Sequence, residues 1–414
     1  MTVAKELPGA RTGASSLQRL TNYLEIDTRL LVMIAVLVAI AVGFELATGG
    51  FFLTVRNLFN LSLQTSVVAI MATGMVLIIV SRHIDLSVGS LMGFAGMLAA
   101  VLQVWVFPVG AGYNWIVTLV LCILFGAVLG AFQGYWIAYR MLPSFIVTLA
   151  GLLAWRGASW LVSGGVTISP MDETFQKLGG GLEGTIGETW SWVVGGLAII
   201  GIVFFFVQNQ LRKRRYGFRV RPLAVEAALI GLSIAVVVGF VMTMNAYLHP
   251  VRKVPQGIPI PVLILIVIVI AMSLVARITK FGRYVYAMGG NPDAAELAGI
   301  DVKRMTFYIF VLSGVLCAIA GAIAVARLNA APTSLGQLSE LNVIAAAVIG
   351  GASLSGGVGT VAGAILGALI MQSLQNGMLL IGITSAIQQM VSAGVLILAV
   401  WFDVVYQKRR LLVR

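Results

Sequence analysis

Long apolar runs, separated by short polar, glycine-rich or basic breaks, set the pattern of this chain. An α-helix needs about 20 apolar residues to cross a bilayer, and unmet backbone polarity leaves only helices and closed barrels able to do so. The runs are far too long for barrel strands. They predict membrane-crossing helices over residues 30–48, 58–80, 88–107, 115–139, 144–163, 190–207, 223–245, 260–276, 305–327, 340–352, 358–380 and 385–403. Of these twelve segments, 340–352 is short for a full crossing. The expected fold class is an all-α polytopic membrane protein with about 10–12 transmembrane helices.

Composition agrees. Of 414 residues, 59% are hydrophobic and only 10% charged, against about 25% charged in a soluble domain. The 47 glycines suit tightly packed membrane helices. The balance of 27 Lys+Arg to 15 Asp+Glu, net +12, reads in a membrane protein as an orientation signal. It is not a sign of a nucleic-acid partner. The linker 208–222 carries Arg212, Lys213, Arg214, Arg215, Arg219 and Arg221, the linker 277–304 carries Arg277, Lys280, Arg283, Lys303 and Arg304, and the end of the chain carries Lys408, Arg409, Arg410 and Arg414. All three are expected on the cytoplasmic side. The stretch 164–189 has Lys177 against Asp172, Glu173, Glu183 and Glu188, so it is expected outside. An even number of crossings places both termini in the cytoplasm. His249, Arg252 and Lys253 then fall outside, against the rule. The organisation read from this is a cytoplasmic segment 1–29 with no removable signal, a first membrane half 30–207, an inserted basic linker and extra span 208–261, a second half 262–403 and a cytoplasmic tail 404–414.

Two breaks echo one another. Ile84-Asp85-Leu86-Ser87-Val88-Gly89-Ser90, followed by Gly93 and Gly96, resembles Ala352-Ser353-Leu354-Ser355-Gly356-Gly357-Val358-Gly359, followed by Gly363 and Gly367. Each places a Gly/Ser interruption between apolar runs. Duplicated halves with broken helices are a recurring transporter architecture, because an interrupted helix offers backbone dipoles to what crosses. The same glycines and serines also occur in membrane chains without repeats.

Catalytic signatures are missing. There is no phosphate-cradling G-x-x-x-x-G-K-[ST] run, and His83 and His249 are the two histidines, so no H-E-x-x-H motif or His/Cys metal cluster is expected. Cys122 and Cys317 lie far apart in apolar runs and read as inert buried thiols. Ionisable groups inside spans mark pathways by default. Asp85 sits at a break beside Arg82 and His83, and Arg156 lies well inside the fifth segment, where it either pairs with Asp85 or reaches the interface. Glu45, Glu226 and Asp403 lie near span ends. Asn60, Gln64, Gln133, Asn342, Gln372, Gln375, Asn376, Gln388 and Gln389 offer hydrogen bonds to an uncharged, hydroxyl-rich solute, or hold helices together.

The segment from Phe281 to Val302 predicts a loop closed by one short helix. Asn291 suits the N-cap, Pro292 the first helical position, Asp293 the positive helix end and Gly299 a left-handed stop. Helices shorter than about 12 residues are marginal alone, so a docking partner, or tethering at both ends, must hold it. At this segment the chain resembles the permease subunits of bacterial carbohydrate ATP-binding-cassette (ABC) importers, the branch that includes ribose, galactose and xylose systems. The Gly282-Arg283-Tyr284 to Ala298-Gly299-Ile300 run, Ile84 to Ser90, and Ile349 to Gly359 carry the likeness. Val104-Trp105, Trp136 to Arg140, Pro143 to Gly151 and the insertion near 208–261 look like its D-xylose members.

That resemblance implies a homodimer in the inner membrane, two cytoplasmic ATP-binding subunits that hold ATP and Mg, and a periplasmic sugar-binding protein. On it, Asn291, Pro292, Asp293, Ala294, Ala295, Glu296, Leu297, Ala298, Gly299 and Ile300 would couple to the ATPase. Ile84, Asp85, Leu86 and Ser87, with Gly350, Gly351 and Ser353, would lie near the translocation path. Arg82 and His83 depart from the small or acidic residues of that pattern. No catalytic residue, metal ligand or cofactor is expected on this chain. The competing readings are an ion-coupled secondary sugar carrier and an integral-membrane enzyme.

Overall fold

Helices that are apolar on every side are surrounded by lipid or by other apolar helices. Among the described residues, ten helices are long and apolar enough to cross a bilayer. The structure, a computed structural model, describes residues 28–107, 110, 112–181, 183–217 and 223–411. Among the described residues it forms helices, three isolated β-bridges and no strand. The helices are α1 Thr28–Ala47, α2 Val55–Val80, α3 Val88–Val101 with a π-turn Leu102–Val106, α4 Asn114–Ala138, α5 Ser144–Ser163, α6 Glu173–Gln176 with a 3-10 turn Lys177–Gly179, and α7 Gly187–Arg215. They continue with α8 Leu223–Ala246, α9 Ile260–Arg277, α10 Lys280–Gly290, α11 Pro292–Leu297, α12 Val302–Leu328, α13 Ser339–Ile349, α14 Val361–Leu380 and α15 Ser385–Leu411.

Three expectations change. The 340–352 segment becomes α13, 11 residues long, which at 1.5 Å per residue covers about half of a ~30 Å hydrocarbon core. It starts at Ser339, directly after the left-handed Leu338 (φ +61), and stops at Ile349 before the turn at Gly350 and Gly351, short of the expected end at 352. Residues 208–215, expected in a linker, extend α7, whose last turn holds Arg212, Lys213, Arg214 and Arg215. Basic residues are good helix formers and suit the negative helix end. The stretch before Asn291 is the helix α10 rather than a loop, with Gly282, Val285, Met288 and Gly289 turned inward. The N-terminal segment up to residue 27 lies outside the described residues, and the tail is helical through Leu411.

The core is centred on α2 and α12, both buried along most of their length, while α1, α7 and α8 form the exposed periphery. Small residues set the closest approach. Gly126, Gly130 and Gly134 recur at one-turn spacing on α4 and face α12; a Cβ at Gly126 would stand 2.4 Å from the Gly314 carbonyl oxygen, and one at Gly130 2.3 Å from that of Phe310. Backbones in contact maximise dispersion where no water drives association. Both echoing blocks are interruptions: one helix ends at Val80 and the next begins at Val88, and α13 ends at Ile349 before α14 begins at Val361.

Loops gather at two ends. At one end, bridges join Ile168 to Ala331 and Thr185 to Pro259, and the Met171 amide donates to Asn329 Oδ1 at 2.7 Å. His249 and Arg252 both reach Glu183 there, so the basic residues at odds with the charge rule share an end with the acidic stretch 164–189. The other end collects the turn after Val80, α10, α11 and the 350–360 loop.

Candidate translocation and coupling site

The second end is assembled from caps. Thr279 Oγ1 accepts from the Gly282 amide at 3.2 Å and starts α10. Asn291, extended at φ −151, accepts from the Ala294 amide at 3.1 Å and starts α11. Gly299, at φ +83, ends that helix in the left-handed region; its amide donates to Glu296 and that of Ile300 to Ala295. Asp301 Oδ1 then accepts from the Arg304 amide at 2.9 Å and opens α12. Every turn of the 279–304 segment is therefore fixed by its own residues, and the six-residue α11 follows the sequence expectation. Ala295 is turned inward and buried, so it anchors the helix. Asp293, Ala294, Glu296 and Leu297 point out, and Leu297 is 92% exposed.

The first break is a buried polar knot. Asp85 Oδ1 accepts from the Ser87 amide at 2.8 Å and the Ser87 hydroxyl at 2.6 Å. Gln133 Nε2 of α4 donates to Ser87 Oγ at 2.7 Å, and Ser90 Oγ donates to the Ser87 carbonyl. On the α5 side, the Ile84 amide donates to Ser144 Oγ. Arg156 makes no ion pair with Asp85, whose Oδ1 is bonded by Ser87 instead. The second break turns on Gly351, Gly356 and Gly357, all at positive φ. The Ser353 amide donates to Val358, Ser353 Oγ lies 2.9 Å from Ser355 Oγ, and Arg29 Nη1 donates to the Gly351 carbonyl at 3.2 Å.

Arg82 ties these parts together. It sits at φ +65, and its Nε and Nη2 donate to the Gly289 and Gly290 carbonyls, at 2.7 and 2.6 Å, at the C-terminal end of α10. A guanidinium at that end of a helix satisfies orphan carbonyls and meets the negative dipole. The Gly357 amide donates to the Val80 carbonyl at 2.9 Å, and the Tyr286 hydroxyl to the Gly359 carbonyl at 2.8 Å. A Cβ on Gly289 would fall 1.8 Å from Val80 O, so only glycine lets α10 lie this close. The 279–304 segment is thus bonded to both breaks. The one signal of this in the sequence was that Arg82 departs from the family pattern.

Of the neutral amides, Gln133, Asn342, Gln375 and Asn376 bond to other elements, while Gln388 donates to the nearby Ile383 carbonyl. Asn57 donates to Asn376 at 2.9 Å, and Gln372, Gln375 and Asn342 form a chain between α14 and α13. Glu340, overlooked among the candidates because it begins a short apolar run, is buried at 4% exposure. Cys122 and Cys317 are free and buried, and among the described residues no three His, Cys, Asp or Glu side chains gather as a metal site would need.

Comparison with known proteins places this arrangement. The model of a family described as the permease component of branched-chain amino acid transport systems matches residues 57–400, which include both breaks and the coupling segment. The chain belongs to this permease family. The permease is 42% identical to the xylose transport system permease protein of Haemophilus influenzae, over 93% of this chain and 98% of the relative. It is 38% identical to the xylose transport system permease protein of Escherichia coli, over 93% and 94% of the two chains. With the ribose import permease protein of Escherichia coli it shares 35% identity over 90% and 92%. No solved structure matches the permease.

Proposed function

We propose that this chain is the membrane-spanning subunit of an ABC importer that carries a monosaccharide, D-xylose or a related pentose, across the bacterial inner membrane. Relatives named for xylose at 42% and 38% identity, above one named for ribose at 35%, support the pentose. Relatives named as transport-system and import permeases weigh against an ion-coupled carrier. The chain performs no covalent chemistry; ATP and Mg belong to a cytoplasmic ATP-binding subunit, and a periplasmic binding protein delivers the sugar. Two copies of the permease form the pathway, and the apolar faces of α1, α7 and α8 meet lipid.

One observation carries the coupling role. α11 presents an exposed leucine, Leu297, between Asp293 and Glu296 on a segment hydrogen-bonded to both helix breaks. The basic segments of α7 and of 277–304 support a cytoplasmic position for this end, where a nucleotide-hydrolysing partner covers the leucine. ATP binding on that partner moves α11 and α10 as one capped unit. Arg82 passes the movement to Ile84–Ser87, and Tyr286 passes it to the 350–360 loop. The equilibrium between inward-facing and outward-facing states shifts by the unequal affinity of nucleotide and binding protein for the two.

The test is uptake of labelled pentose into vesicles holding the reconstituted complex. Uptake is expected to require ATP and to continue without an ion gradient. Asp293→Lys with Glu296→Lys is expected to separate hydrolysis from uptake while assembly of the membrane subunit persists. A crosslinker placed at Leu297 should capture the ATPase. Transport driven by a gradient with no nucleotide would refute the reading.

A further inference from the structure

A helix longer than the hydrocarbon layer is thick carries its ends into the headgroups. α7 has 29 residues. Trp190 and Trp192 stand exposed near its start, and Tyr216 stands exposed directly after its last residue. Exposed aromatics of this kind mark the two membrane–water boundaries. From Trp190 to Arg212 the helix rises about 33 Å, which matches a hydrocarbon core of about 30 Å. The last turn, with Arg212, Lys213, Arg214 and Arg215, therefore falls at the depth of the lipid phosphates.

Little protein surrounds that turn. α7 lies against α8, and α8 against α2, so α7 stands one helix out from the core. Its buried residues are Ser191 and Gly195, both near its start. There Ser191 Oγ accepts from the Ile258 amide at 2.8 Å, and a Cβ on Gly195 would stand 2.8 Å from the Val241 side chain of α8. Beyond Gly195 no residue of α7 is buried, and Arg212, Arg214 and Arg215 end the helix exposed. The chain holds no Asp or Glu between Glu188 and Glu226, and Glu226 is buried on α8. Orientation alone asks for positive charge anywhere in the linker. Four bases in one turn at phosphate depth go further, because a cluster of this size directly beyond a span attracts anionic headgroups, and a guanidinium matches phosphate oxygens in charge and shape.

We propose that the basic end of α7 binds anionic phospholipid headgroups of the surrounding leaflet. The proposal rests on the membrane-subunit reading above, with this end in the cytoplasm. It is tested in the reconstituted complex of permease and ATP-binding subunit, in bilayers of phosphatidylglycerol and phosphatidylcholine in equal parts. A photocrosslinking residue in place of the exposed Leu211 reports which lipid lies beside the turn. Phosphatidylglycerol is expected to be captured in preference. Arg212→Gln, Arg214→Gln and Arg215→Gln together are expected to lower that preference about fivefold or more. The three Arg→Lys changes, which keep the charge and so the orientation of the helix, are expected to retain most of it.

The unaltered arginines supply a check that needs no loss of charge. Salt screens exposed cations, so raising the ionic strength is expected to weaken the preference at this position. Equal capture of the two lipids, or a preference that neither salt nor the Gln changes reduce, would overturn the site. A preference lost in the Lys variant would also overturn it, since attraction by charge survives that exchange. A complex that imports no pentose while Leu211 still reports phosphatidylglycerol would refute the proposed function and leave the lipid site standing; normal uptake with equal capture would do the opposite.

Discussion

Arg82 shows how a single side chain connects segments that lie more than 200 residues apart in sequence. Its two bonds to the Gly289 and Gly290 carbonyls hold the end of α10, while its own backbone begins the turn into Asp85. Arg82→Ala is expected to leave basal ATP hydrolysis in place and to cut sugar moved per ATP several-fold, with Arg82→Lys intermediate because an ammonium cannot form the planar fork. Parallel uptake and hydrolysis assays check this. At the opposite end, Asp172 caps α6. Burial alone raises its carboxyl; hydrogen bonds from the Thr174 hydroxyl and the Gly110, Thr174 and Phe175 amides outweigh that and hold it below the ordinary value. A depressed folded value stabilises the charged form, so this contribution is full above the ordinary carboxylate range and vanishes as pH falls through the lowered one. Protease nicking of the 164–186 loop should rise with acid in the wild type and be high at all pH in Asp172→Asn.

At the scale of elements, backbone contacts decide more than side-chain size. Gly130 meets the Phe310 carbonyl with no room for a methyl. Gly130→Leu should destabilise the α4–α12 pair by about 3 kcal/mol or more, read as a lower unfolding temperature of the detergent-solubilised complex; an unchanged midpoint would show that the helices can separate freely. The helices themselves were legible because twenty-residue apolar runs admit few alternatives, and α11 was legible because Asn291, Pro292 and Gly299 each carry a local conformational preference. α10 was not, since its glycines read as loop while serving close packing against Val80. α13 was also misjudged in length: apolarity continues through Gly350 to Ala352, but the left-handed Leu338 and the turn at Gly350 bound the helix. Asp85 was visible as a polar residue at a break, whereas the bond that Gln133 gives to Ser87 beside it was not, because Gln133 lies 46 residues from Ser87.

For the whole molecule, both breaks and the 279–304 segment share one end while the acidic loops close the other, and a few short bonds join that segment to both breaks. The basic turn of α7 lies at the periphery, one helix out from the core. The proposed roles assign the first group to transmission and the second to lipid. Substitutions at Arg82 should then alter coupling with lipid preference intact, and those at Arg212, Arg214 and Arg215 the reverse. Measuring both quantities in both variants separates the two roles, and identical profiles would contradict the division.

Leu297 stands 92% exposed on a helix of six residues. On the proposed orientation this side chain faces the cytosol, where a bare leucine is a liability whenever the subunit proposed to cover it is scarce. Bacteria making this chain without its motor should therefore degrade it faster than those making both, and Leu297→Ser should lengthen the lifetime of the orphan chain while weakening the assembled pump. The same leucine would then serve as an assembly checkpoint, matching the supply of channel to the supply of engine.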